Sequence, residues 1–124
     1  MTPDNSFWQT LMELVYNNSI ILDRPKGTAH PRYPNLVYPL NYGYLEDTTA
    51  GDGDGIDVWM GSNQNKTLTG ILCTFDRLKR DAEIKLLIDC TSEDVQTIRQ
   101  FNKSMKTLFI SNPMVEDDVS QRIP

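Results

Sequence analysis

This sequence predicts an α+β fold on a small, mainly antiparallel sheet or barrel, and three observations predict it. Helix-periodic apolar residues occupy the segment before residue 17 and the one after residue 91. The runs LTGILCTFD (68–76) and EIKLLIDC (83–90) have strand composition. Only the polar link RLKRDA separates those two runs, which makes them a hairpin.

Taken in order, SFWQTLMELVY (6–16) sets Trp8, Leu11, Met12 and Val15 on one helical face behind Ser6 as a cap. IILD (20–23) reads as a short strand. RPKGTAHPRYPNLVYP follows with four prolines, which lack the amide hydrogen a sheet ladder needs, so this segment is expected to run extended over the surface. IDVWM (56–60) is β-rich. After the hairpin, TSED forms a capping box with Asp94 three residues beyond Thr91, and Val95, Ile98, Phe101 and Met105 carry a helical stripe toward Lys106. TLFIS adds a last strand, and MVEDDVSQRIP reads as a loose polar tail.

With 124 residues the chain is read as one domain, 1–124, large enough for a single core. Its hydrophobic fraction of 39% is that of a soluble globular protein, and no apolar run approaches the roughly 18 residues of a membrane helix. MTPDNSFWQT has neither the basic start nor the apolar stretch of a secretory signal, which predicts a cytoplasmic location. Cys73 and Cys90 are far apart and lack metal-site spacing, so they are expected as reduced thiols. A net charge of −5 excludes nucleic acid as a partner, because neutralising phosphates takes clustered Lys and Arg.

The chemistry concentrates in GDGDGIDVW, where Asp52, Asp54 and Asp57 are spaced largely by glycine. In an extended segment Asp52 and Asp54 face one side, and the glycines permit a bend that returns Asp57 toward them. Such hard oxygens repel one another until a divalent cation joins them; magnesium takes oxygen ligands and keeps waters that a phosphate can displace. Read alone, the stretch is more often a solvated acidic turn. Asp76 and Asp81 at the two ends of the hairpin link add carboxylates on the same rim. Lys26, Arg32, Tyr38 and Tyr42 upstream, with Lys85 and Lys106 downstream, add the donors that accompany metals at phosphoryl-transfer sites.

YPLNYGYLEDTTAGDGDGIDV resembles the magnesium-dependent inorganic pyrophosphatase family built on an OB-like barrel. Tyr38, Asn41, Tyr42 and Gly43 match the YPxNYG element, and Asp52, Asp54 and Asp57 match DGDPxDV at the family's separation. GILCTFDRLKRDAEIK resembles the strand pair with two aspartates five positions apart; Asp76 and Asp81 fit, and Lys85 stands two positions beyond the usual lysine. Asp23, then Arg32 with Tyr33, match an upstream acid and a Lys-Tyr pair, and FNKSMK is similar to the helix that delivers the last lysine, here Lys106. The departures are Gly55 for a proline, Pro34 for a glutamate, Met105 for a tyrosine and Arg77 for a second acid. A hairpin bearing an arginine is also missing between Arg32 and Tyr38.

The resemblance implies hydrolysis of pyrophosphate to two phosphates by metal-activated water. Asp52, Asp57, Asp76 and Asp81 would hold magnesium, with manganese as the alternative ion, and Asp54 would accept the water's proton. Arg32, Tyr42, Lys85 and Lys106 would hold the phosphate. A homo-oligomer is implied as well, by analogy with bacterial relatives. Three other readings stay open: a module that binds magnesium-phosphate without hydrolysing it, a hydrolase of another diphosphate or phosphate ester, and a structural or partner-binding domain in which the acids only solvate a loop.

Overall fold

The computed structural model of the protein describes residues 5–115. The elements in chain order are α1 (Asn5–Asn17), β1 (Ile20–Arg24), β2 (Asn41–Leu45), β3 (Asp57–Met60), β4 (Leu68–Asp76), β5 (Asp81–Ile88), α2 (Ser92–Phe101) and β6 (Lys106–Ser111). The strands form one mixed sheet in the order β1-β2-β3-β5-β4-β6. Every neighbouring pair is antiparallel except β3 with β5, which are parallel. The α+β class with a mainly antiparallel sheet is therefore observed. Among the described residues the ladder order ends at β1 on one side and β6 on the other.

The hairpin forms where the strand composition placed it, with Asp76 paired directly to Asp81 across its end. That pairing starts β5 at Asp81, two residues before the expected run. Arg80, at φ 59°, donates its amide to the Asp76 carbonyl at 2.7 Å and closes the turn. β2 was not expected as a strand. NYGYL is short and interrupted by a glycine, but Gly43 is where the β1 backbone comes closest: an added Cβ would collide with the Ile21 carbonyl.

The Thr91–Asp94 capping box is present, each side chain bonded to the other residue's amide. The expected continuation of α2 to Lys106 does not occur. Asn102 turns its side-chain amide onto the Ile98 carbonyl at 2.8 Å and caps the helix after Phe101. Lys106 consequently begins β6. The proposed tail beyond Val115 lies outside the described residues. Among those described, no helix is long and apolar enough to cross a membrane.

Alternation along the strands gives the sheet two apolar faces. On one, Leu45, Val58, Ile71, Leu86 and Ile88 pack with Trp8 and Val15 of α1. On the other, Trp59, Leu72 and Leu87 pack with Val95 and Ile98 of α2, and with Tyr38 and Leu40 from the proline-rich segment. Each such side chain contributes about 1.5–3 kcal/mol when fully buried. Register with Leu72 sets Lys85 on the α2 face, together with Glu83 and Thr74, and this polar stretch of the sheet carries the candidate site.

Candidate functional site

The aspartate stretch is the loop between β2 and β3, and its two ends are tied by one side chain. Thr48 Oγ1 donates to the Leu45 carbonyl at 2.7 Å and accepts from the Ile56 amide at 3.0 Å. Within the loop Ala50 N–H meets the Asp54 carbonyl, Gly53 N–H returns to the Ala50 carbonyl, and Gly53 takes φ 91°. Asp52 and Asp54 are thus not side by side on an extended segment, as alternation implied. They sit in a closed turn in which Asp52 Oδ1 accepts the Asp54 amide at 2.9 Å. Gly55 has its own explanation, since the Tyr44 ring lies over it and an added Cβ would come within 2.6 Å of Tyr44 Cδ2.

The turn still gathers its carboxylates. Asp52, Asp54 and Asp57 border one open cleft of about 1230 Å³, and Arg32 borders it from the proline-rich segment. A second groove, of about 1020 Å³ and largely apolar, is bordered by Asp52, Asp57, Asp81, Glu83 and Lys106. Asp52 and Asp57 are common to both. Lys106 pairs with Phe75 and so leaves the sheet on the α1 face, opposite Lys85.

Behind Asp57 is a buried cation. Lys85 is 6% exposed; its ammonium donates to Asp57 Oδ2 at 3.1 Å and to the Tyr42 hydroxyl at 2.9 Å, and stands 3.6 Å from the Glu83 carboxylate. It also lies 5.3 Å from the centre of the Tyr42 ring. Burial, followed by the Asp57 carboxylate, pushes the Tyr42 phenol above its usual value and keeps it protonated. The two-residue offset of Lys85 thus preserves strand parity and places its charge on Asp57. Glu83 occupies the position where the resemblance expects a lysine.

Asp76 is spent on local structure. Its Oδ1 accepts the Leu78 and Lys79 amides at 2.9 and 3.1 Å, holding the β4–β5 turn. Asp81 is exposed at the strand's start and faces the groove.

The resemblance implies magnesium here. Among the described residues, no three His, Cys, Asp or Glu side chains stand close enough together to hold a metal ion, so a four-aspartate cage is not preassembled. The donor chemistry fits a hard divalent ion in a looser way. Asp52 and Asp57 keep solvent contact at the border of both depressions. Magnesium takes one or two carboxylates when phosphate oxygens and its own waters complete its shell.

Sequence reasoning passed over Arg24, His30 and Lys79, which line the same cleft as the aspartates. The only advance signal was their charge, because Lys79 is remote in sequence from the other two. It also passed over Glu83, whose strand parity with Lys85 was readable. A further cavity of about 350 Å³, bordered by Thr69, Cys90, Thr91 and Ser111, shares no lining residue with the cleft or the groove.

A mixed sheet flanked by two helices, with carboxylates and cations lining one open cleft, defines the class of the protein as α+β. The inorganic pyrophosphatase family matches residues 17–118, and the chain belongs to that family. Among solved structures, an inorganic pyrophosphatase from Coxiella burnetii is similar at 16% identity and a TM-score of 0.48, covering 74% of this chain and 82% of that one. An inorganic phosphatase from Anaplasma phagocytophilum is similar at 16% identity and a TM-score of 0.47, covering 74% of this chain and 81% of that one. These likenesses are loose, and membership rests on the family match. No curated protein matches the chain by sequence.

Proposed function

We propose that this chain hydrolyses inorganic pyrophosphate to two phosphates in a magnesium-dependent reaction. The observation that carries the proposal is the family match over residues 17–118, which takes in the YPLNYG element, the aspartate loop and the hairpin together. Asp52 and Asp57 would hold the ion, with Asp81 at the groove as a further carboxylate; Asp76, the fourth of the implied set, is committed to the turn through Oδ1. When bound, magnesium supplies Lewis-acid polarisation of a phosphoryl oxygen and lowers the pKa of water. Manganese is the alternative ion.

The chain's own groups do the rest. Asp54, exposed in the cleft, accepts a proton from the water that attacks phosphorus, while the bond from that phosphorus to the bridging oxygen breaks. Arg32 offsets the charge of the departing phosphate from the cleft, and Lys106 adds positive charge from the groove that shares Asp52 and Asp57 with it. Lys85 and Tyr42 contribute from behind Asp57, holding its carboxylate toward the rim. The same reading takes residues 1–124 as one pyrophosphatase-like unit with OB-like curvature, acting in the cytoplasm as a homo-oligomer. Phosphate released from pyrophosphate as magnesium is raised from zero tests it: release that follows the ion supports the proposal, and none at any magnesium level overturns it.

One observation favours a second reading. No trio of metal-ligating side chains is preassembled among the described residues, and Lys85 already neutralises Asp57. A module that binds magnesium-pyrophosphate without turnover would show calorimetric binding with no phosphate release. The same assay run with phosphate esters separates a hydrolase of another substrate.

A further inference from the structure

The resemblance implies a rim hairpin bearing an arginine, and this chain has none between Arg32 and Tyr38. The structure assembles cations there from other places. Arg24 ends β1, Arg32 sits in the proline-rich segment, and Lys79 sits in the β4–β5 turn; all three line the cleft that Asp52, Asp54 and Asp57 also border, together with Asp23. Among the described residues neither the Arg32 guanidinium nor the Lys79 ammonium has an ion-pair partner. Arg24 is paired with Asp23 at 3.2 Å, with both side chains substantially exposed. Such a pair contributes little to stability, so a ligand oxygen can take its place at small cost.

His30 lies among these cations and is held on three sides. Its Nδ1 accepts the Arg32 and Tyr33 amides at 3.0 and 3.3 Å, and its ring stacks on Tyr38 at 6.1 Å and 5° and tilts against Tyr33 at 5.1 Å. An Nδ1 that accepts carries no proton, so the ring proton is on Nε2, which has no hydrogen-bond partner among the described residues. Burial, and then the charges of Arg24, Arg32 and Lys79, hold the imidazole below its usual value and keep it neutral.

We propose that Arg24, His30, Arg32 and Lys79 form a subsite for a terminal phosphoryl group, with three cations around its oxygens and the His30 Nε2–H as a fixed neutral donor. The identity of that group as one end of pyrophosphate rests on the function proposed above. The subsite places one phosphoryl against the cation wall and directs the other toward the aspartates. It replaces, with residues from β1 and from the β4–β5 turn, the donors that the shortened proline-rich segment does not supply.

Calorimetric titration with methylene diphosphonate, which cannot be hydrolysed, and with orthophosphate tests this at fixed magnesium on the full chain. Lys79 is exposed on a turn, so Lys79→Gln leaves folding intact, and His30→Asn keeps an acceptor where Nδ1 stands while removing Nε2. Each substitution should weaken diphosphonate binding about tenfold, the loss of one charge-assisted or fixed donor. Arg77→Gln removes the same charge from the same turn outside the cleft, and should change binding by less than about twofold. The subsite is wrong if Lys79→Gln and His30→Asn bind like the parent, if Arg77→Gln weakens binding as much, or if the parent binds neither ligand. A parent that shows the expected pattern but releases no phosphate from pyrophosphate keeps the subsite and loses hydrolysis. One that turns over pyrophosphate with the same KM in all variants keeps hydrolysis and loses the subsite.

Discussion

Replacing Lys85 by methionine tests whether a buried ammonium organises the rim. The stem keeps its volume against Tyr42, while the bonds to Asp57 Oδ2 at 3.1 Å and to the Tyr42 hydroxyl at 2.9 Å are lost. Hydrogen bonds to a charged group contribute about 1.5–3 kcal/mol each. Two terms reduce the net effect. Burying the lysine charge costs several kcal/mol that methionine does not incur, and the Asp57 side chain is 28% exposed, so water reaches the carboxylate left behind. We expect a loss of about 2 kcal/mol, below the roughly 3–5 kcal/mol of a fully buried pair broken on one side. For a domain of this size that is a fall in Tm of about 6–10 °C. Urea unfolding of the parent, Lys85→Met, Asp57→Asn and the double variant at neutral pH closes a cycle, with an expected coupling of about 1–2 kcal/mol. A coupling under about 0.3 kcal/mol, with Lys85→Met as stable as the parent, would refute the reasoning.

Asp54→Asn should abolish magnesium-dependent phosphate release while diphosphonate still binds; equal release by both proteins removes Asp54 as the base. Asp94 accepts from the Ser62 amide, the Ser62 hydroxyl and the Thr91 amide at 2.9–3.0 Å, so Asp94→Ala should cost about 2 kcal/mol in urea unfolding. Burial raises the Asp94 carboxyl and these hydrogen bonds more than offset it, leaving a net depressed pKa. Its contribution is therefore complete above the usual carboxylate value and is lost as pH falls through the lower folded value, so Asp94→Asn should flatten the acid limb of the stability curve. Gly61→Ala should destabilise by more than about 2 kcal/mol, because the new methyl meets the Asp89 carbonyl and the Asp94 carboxylate where the residue after β3 packs against the start of α2. Thermal unfolding at the parent's Tm would contradict that packing.

Elements with strong local signals were legible in the sequence. The Thr91–Asp94 box, the strand from Leu68 to Asp76 and the amino-terminal amphipathic helix each carry their own capping, composition or period. β2 was missed because five residues around a glycine carry little propensity, and it exists through pairing with β1 and β3. The overextension of α2 has a similar cause: Met105 fits the helical stripe, but the Asn102 side chain competes successfully for the Ile98 carbonyl.

What the sequence determined by itself was the family, the α+β class and the presence of a carboxylate-rich loop beside a hairpin, because these rest on local spacing and residue type. Only the tertiary structure decided how the charges are paired. Strand order brings Lys85 to Asp57 across 28 residues, the β4–β5 turn consumes Asp76, and Lys79 comes to the cleft that Arg24 and Arg32 line. The physical reason is that an ion pair depends on distance in space and on access to water, and strand register and turn geometry set both.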